Sequence, residues 1–203
     1  MSEPQWEHSF HVRTAEQTHR LAAAIGAVLE AGDLLILTGE LGAGKTTFTQ
    51  GVGEGLGVRP GIISPTFVLV RIHPNLPAGP RPGGPDLVHV DAYRLESASE
   101  IDDIDLENTL DSSVTVVEWG SGRVEHLSES RLEIELYRRL GSAGVGGPGP
   151  LTNTGTAPSG TGTAAVLDFA PDDDDEPRAI VIRGYGPRWA VRPSWLVLPE
   201  GAL

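Results

Sequence analysis

Asp33-Leu34-Leu35-Ile36-Leu37-Thr38, followed by Gly39-Glu40-Leu41-Gly42-Ala43-Gly44-Lys45-Thr46, is the stretch that decides the fold. Its first half is a short, unbroken apolar run, the pattern of a strand buried on both faces in a parallel sheet covered by helices. Its second half fits G-x-x-x-x-G-K-[ST] at every fixed position. The motif lies where its chemistry requires, after a strand and before a helix that runs to about Leu56 and is closed by Gly57. Glycines let successive N–H groups turn inward as an anion nest at a helix N-terminus. Lys45 then reaches the β- and γ-phosphates of a nucleotide, and the Thr46 hydroxyl binds Mg²⁺. Lys45 is the only lysine among the 15 basic residues, the rest being arginine.

Working outward, Glu7–Arg13 alternates as a short strand. Thr14 or Thr18 then caps a helix whose apolar face is Leu21, Ala24, Ile25, Val28 and Leu29, and Gly32 stops it. Further strands are expected at Thr66–Ile72, Leu87–Val90 and Val114–Val117. Two of these runs end in acids: Leu87-Val88-His89-Val90-Asp91 has the form of a Walker B strand, and Val114-Thr115-Val116-Val117-Glu118 repeats the device. Ligands of open α/β sheets bind outside the carboxyl ends of strands, so Asp91 and Glu118 can converge on the phosphate loop. His89 reads as a strand side chain rather than a ligand.

The 203 residues suit one domain, and their net charge of −13 argues against a direct, non-specific grip on nucleic acid or anionic lipid. The absence of cysteine excludes disulfides, thiol catalysis and Cys-ligated zinc. No apolar run approaches the roughly 20 residues of a membrane span, and the N-terminus lacks a signal region, so the expected location is the cytoplasm. Residues 95–111 hold seven carboxylates and no basic residue, either a solvated, partly helical face or a docking surface.

The final third changes character. Residues 141–163 contain eight Gly and three Pro, and Asp172–Glu176 is an acidic run. Such a segment cannot bury enough apolar surface to order itself, so 141–177 is expected to be a largely disordered insertion. It separates Arg131–Tyr137 from Arg178–Ile182, which read as an antiparallel hairpin with an expanded connection. Closure entropy grows only with the logarithm of loop length, so such an expansion is tolerated. The expected organisation is therefore one P-loop domain, 1–140 with 178–203, interrupted by 141–177. Its fold class is α/β, P-loop NTPase-like: a mostly parallel central sheet flanked by helices, with a C-terminal antiparallel hairpin. A smaller Pro/Gly-rich insert occupies 73–85, placed by this reading near the site.

Four motifs occur in order: GELGAGKTT at Gly39–Thr47, Ser64-Pro65-Thr66-Phe67, His89-Val90-Asp91-Ala92-Tyr93-Arg94-Leu95, and Val117-Glu118-Trp119-Gly120. This set closely resembles the TsaE (YjeE) family of bacterial ATPases in tRNA threonylcarbamoyladenosine biosynthesis, over roughly 5–140 and again at 178–189. The resemblance implies a small protein that binds ATP and Mg²⁺ and hydrolyses ATP slowly alone. It further implies TsaB and TsaD as partners, with tRNA touched only indirectly. TsaD transfers the threonylcarbamoyl group to the adenosine beside the anticodon of tRNAs reading A-starting codons, and ATP hydrolysis resets that machine. By position, the resemblance assigns the phosphates to Gly42, Ala43, Gly44, Lys45, Thr46 and Thr47, and the Mg²⁺ to Thr46 and Glu118. Asp91 resembles the Walker B acid, acting on the metal or on the attacking water. Ser64 and Thr66 resemble a switch segment that senses the γ-phosphate. Trp119 is implied beside the nucleotide and Arg178 at a basic position near it.

Other classes are weaker. A small-molecule P-loop kinase closes an Arg-bearing lid over the phosphates, yet 140–177 contains neither Lys nor Arg. A GTPase of the Asn-Lys-x-Asp type would need a second lysine. A nucleotide-gated scaffold with little turnover remains open, although two acids beside the phosphate loop favour hydrolysis.

Overall fold

Leu34, Leu35, Ile36 and Leu37 are at most 1% exposed, and they alternate between two separate cores. They form the middle of a seven-stranded sheet in a computed structural model that describes residues 3–95, 100, 106–138 and 177–193. In chain order the elements are β1 (Trp6–Val12), α1 (Ala15–Gly26), β2 (Leu34–Gly39), α2 (Lys45–Leu56), β3 (Val70–His73) and β4 (Asp86–Asp91). There follow α3 (Glu107–Leu110), β5 (Ser113–Glu118), β6 (Arg131–Arg138) and β7 (Arg178–Tyr185). The strands lie side by side as β1-β7-β6-β2-β5-β4-β3.

The four central strands β6, β2, β5 and β4 are parallel, while β3 and the β7–β1 pair add antiparallel edges. The sheet is thus mixed, with the expected parallel centre and antiparallel edges. The short 74–85 connection returns β4 antiparallel to β3, and β7 likewise runs antiparallel to β6. The expected C-terminal hairpin is present, with Arg138 opposite Arg178 and Arg131 opposite Tyr185.

One face of the sheet, with Leu35, Leu37, Val116 and Ile134, packs under α1 and α2. The other, with Leu34, Ile36, Val88 and Val117, is covered by Ala92, Leu95, Leu106 and Val124 from short turns and the approach to α3. The two helices approach so closely that a Cβ at Gly51 would lie 2.3 Å from the His19 carbonyl oxygen. At Gly55 it would lie 2.1 Å from that of Ala23.

Thr14 caps α1, its hydroxyl accepting from the Gln17 N–H, whereas Thr18 is fully buried and donates to the Thr14 carbonyl. The α-helix ends at Gly26 rather than running to Gly32. Val28 N–H and Leu29 N–H bond three residues back, so the apolar spacing continues in a tightened turn. The strand expected from Thr66 begins only at Val70. Val68 and Leu69 both donate to the Pro65 carbonyl, and Leu69 has φ 64°, closing residues 65–69 into a turn.

The 73–85 insert lies at the far end of α2 from the phosphate loop, not near the site. Asn75 donates to the Leu56 carbonyl and Arg81 to that of Leu29. Near the C-terminus Trp189 is 2% exposed and its carbonyl accepts from Trp6 Nε1 at 2.8 Å, so this segment packs onto the body. Among the described residues no helix is long and apolar enough to cross a membrane. The expectations for the 141–177 insertion, apart from Pro177, and for 96–99 and 101–105 of the acidic 95–111 stretch fall outside the described residues.

Candidate functional site

The carboxyl ends of β2, β4 and β5 meet the N-terminus of α2 around a cleft of about 350 Å³. The chain turns from β2 into α2 through Gly44, which caps the helix at φ 101°, a conformation that favours glycine. Gly42, Gly44, Lys45, Thr46 and Thr47 line one wall, while Ala43 is fully buried beneath the loop. Ser64, Thr66, Asp91, Glu118, Trp119 and Arg178 also line the cleft. Apart from Ala43, every residue that the sequence assigned to the site therefore faces the cleft.

Lys45 Nζ donates to the carbonyls of Gly39 (2.8 Å) and Glu40 (3.0 Å) and sits 3.8 Å from the centre of the Trp119 ring. Burial lowers the pKa of this ammonium, and the Glu118 and Asp91 carboxylates act in the opposite direction. An anion placed in the cleft would support the charged form further. Trp119 holds its place at φ 63°, its N–H donating to Leu37 and its ring edge-on to Tyr93. A large residue in the left-handed region is uncommon, and such strain persists where the surroundings fix it.

The parallel register aligns Asp91 with Glu118 on neighbouring strands. Thr46 Oγ1 donates to Glu118 Oε1 across 3.1 Å. A hydroxyl and a carboxylate side by side are hard oxygen donors, which fits Mg²⁺, a cation that takes few protein ligands and keeps phosphate and water for the rest. Asp91 is engaged differently: its Oδ2 accepts from Thr66 Oγ1 and Ser64 Oγ, and its Oδ1 accepts from the Tyr93 N–H. The Ser64–Thr66 segment is therefore bound to Asp91.

Residues 12–142 match the family described as Threonylcarbamoyl adenosine biosynthesis protein TsaE. The chain belongs to the TsaE family. A protein of Streptomyces coelicolor named tRNA threonylcarbamoyladenosine biosynthesis protein TsaE is 44% identical over 171 residues, 84% of this chain and 92% of that protein. A Mycobacterium tuberculosis protein of the same name is 44% identical over 129 residues, covering 61% of this chain and 74% of its own. The crystal structure of YdiB from Bacillus subtilis superposes with a TM-score of 0.59 at 25% identity, over 93% of this chain and 92% of that one. The TsaE fold of this chain is P-loop NTPase-like.

Two features of this TsaE site lie outside the residues that the sequence assigned to it. Arg138, opposite Arg178 in the hairpin, brings Nη1 to 3.4 Å from where a Cβ on Gly42 would sit, while Arg178 Nη1 lies 3.6 Å from the corresponding point on Gly44. Two guanidinium groups thus flank the phosphate loop, and only the cross-strand register reveals the first. The second is His89, fully buried, with Nε2 2.9 Å from Glu118 Oε1.

Proposed function

We propose that this TsaE-family chain binds ATP with Mg²⁺ in the cleft and is a weak ATPase subunit in tRNA threonylcarbamoyladenosine biosynthesis. Its partners on this reading are TsaB and TsaD, with tRNA reached only through them, and the work is cytoplasmic. Residues 1–140 and 178–203 act as one ATPase domain around the insertion 141–177.

The observation that carries the reading is the convergence of Lys45, Thr46, Asp91 and Glu118 on one cleft at the end of the central strands. Gly42, Gly44 and Thr47 present the phosphate loop, with Ala43 packed beneath it, and Lys45 swings from the Gly39 and Glu40 carbonyls onto the phosphates. Arg178 adds charge to the cleft, and Trp119 forms a wall beside the nucleotide. Thr46 and Glu118 would hold Mg²⁺, which when bound neutralises phosphate charge. Asp91 orients the attacking water once Thr66 and Ser64 leave its Oδ2 for the γ-phosphate. That rearrangement accounts for slow turnover by the chain alone, because the acid is occupied at rest. A partner that orders the Ser64–Thr66 segment, or supplies an arginine worth about 10³–10⁵ in rate, completes the site.

The test is the ATP hydrolysis rate of the chain alone and with its organism's TsaB and TsaD. A large rise that disappears with Lys45→Ala supports the reading. No rise, with phosphate appearing on a small acceptor, supports a kinase; tight ATP binding with no turnover in either setting supports a nucleotide-gated scaffold.

A further inference from the structure

Two hydrogen bonds fall on one oxygen of Glu118. Thr46 Oγ1 reaches Oε1 at 3.1 Å from the cleft side, and His89 Nε2 reaches the same atom at 2.9 Å from within the protein. The His89 side chain has no exposed surface and that of Glu118 only 4%. A carboxylate accepts hydrogen bonds and donates none, so the ring nitrogen that faces it carries the proton. The other ring nitrogen, Nδ1, is buried with no hydrogen-bond partner among the described residues.

That orphan atom is informative. An apolar side chain would fill the same place in the strand without burying an unsatisfied polar group, which costs about 1–3 kcal/mol. Packing alone therefore does not account for a histidine here, whereas the bond to Glu118 does. The ring is also held in place: the His73 ring lies 6.4 Å away, centre to centre, tilted by 39°.

We propose that His89 is the positioning residue of the metal-binding carboxylate. Its Nε2–H pins Glu118 Oε1, fixing the torsions of the side chain so that the carboxylate stays beside Thr46, where the two would hold the cation. This rests on the reading of Glu118 as a Mg²⁺ ligand. Groups that orient a ligand in this way typically contribute 10- to 100-fold in metal affinity.

The experiment measures Mn²⁺ binding, by electron paramagnetic resonance, to the full chain saturated with a non-hydrolysable ATP analogue. His89→Leu is expected to weaken Mn²⁺ binding by about 10- to 100-fold. Its affinity for the analogue without metal should stay within about twofold, because the phosphate loop is untouched. His89→Gln places an amide N–H near the original Nε2 and should recover most of the loss. Parent-like Mn²⁺ affinity in His89→Leu overturns the proposal, as does an equal loss in both variants, which would mark packing. Glu118→Gln separates the premise: if Mn²⁺ binding survives that change, Glu118 is no ligand and both readings fall. If Glu118→Gln loses Mn²⁺ while His89→Leu does not, only the role of His89 falls. The imidazole ¹⁵N spectrum of the parent protein gives a check that needs no His89→Leu protein to fold. A proton on Nε2 of His89 is expected, and a ring protonated on Nδ1 alone overturns the proposal.

Discussion

Thr66 Oγ1 donates to Asp91 Oδ2 across 2.7 Å, and this bond ties the switch-like segment to the end of β4. Ser64 Oγ stands 2.8 Å from the Thr66 hydroxyl and 3.3 Å from the same carboxylate oxygen, so one acid holds both ends of the Ser64-Pro65-Thr66 turn. The next residue, Phe67, is 87% exposed. Removing the Thr66 hydroxyl costs about 1 kcal/mol, or about fivefold in the equilibrium between held and released segment. Chymotrypsin should therefore cut after Phe67 several times faster in Thr66→Ala than in the parent. Identical cleavage rates would show that the bond does not hold the loop.

Lys45 and Asp91 should separate binding from turnover. Loss of the Lys45 ammonium removes a charge-assisted contact worth about 1.5–3 kcal/mol, so Lys45→Ala should weaken ATP binding by ten- to over a hundredfold in calorimetry. Asp91→Asn keeps the size of the side chain but loses the carboxylate that, on the proposed function, orients the attacking water. Turnover should fall by about 10²–10⁴ with ATP affinity changed only a few-fold. Equal ATP affinity for Lys45→Ala and the parent would remove the phosphate assignment.

Helix propensity and helix packing oppose each other at Gly51. Alanine is better than glycine in a helix by about 1 kcal/mol. The added Cβ would meet the His19 carbonyl oxygen at 2.3 Å and the Ala22 Cβ at 2.7 Å, neither of which is the end of a flexible side chain. Separating α1 from α2 should cost about 1–3 kcal/mol beyond the propensity gain. Calorimetry should give a Gly51→Ala melting temperature lower by about 2–8 °C. An unchanged or higher melting temperature would show that the contact yields easily.

His73, at the end of β3, is buried, and burial lowers its pKa below the ordinary 6.5, with the His89 ring, Arg59 and Arg71 adding to the effect. Below pH 6.5 the unfolded chain takes up this proton while the folded chain resists it. Stability should consequently fall as the pH drops from 6.5 to the lowered folded value, by at most about 1.4 kcal/mol per pH unit for this one group. Urea unfolding of His73→Leu should show a flatter dependence over that window. The same slope in both proteins would assign the pH sensitivity elsewhere.

The cleft was readable where its chemistry is contiguous. Gly39–Thr47 encodes the loop, its nest and its cation in one segment, and Asp91 and Glu118 each end an apolar run, so strand direction alone places them. Arg138 was not readable this way, because it reaches the loop only through its pairing with Arg178 across a connection of uncertain register. His89 looked like an ordinary strand residue because its partner is 29 positions away on β5. Local sequence also misjudged Thr66–Leu69: its β-favouring residues bend into a turn because the hydroxyls are bonded to Asp91. The antiparallel edge strands were half legible, since connection lengths suggest them while neighbour order does not.

The pairing of Arg138 with Arg178 means that the chain leaves the sheet and re-enters it at the rim of the nucleotide site. β7 is zipped to β6 along its whole length, flanked by β1, and clamped by Arg183, which bridges Glu7 and Glu135. The described strand pairings that position Arg178 are thus non-covalent, with β6 on one side and β1 on the other. These contacts divide the described fold into a body carrying the phosphate loop and both acids, and a short C-terminal piece donating one guanidinium. Made as separate chains divided between Arg138 and Arg178, the two should reassemble into one nucleotide site.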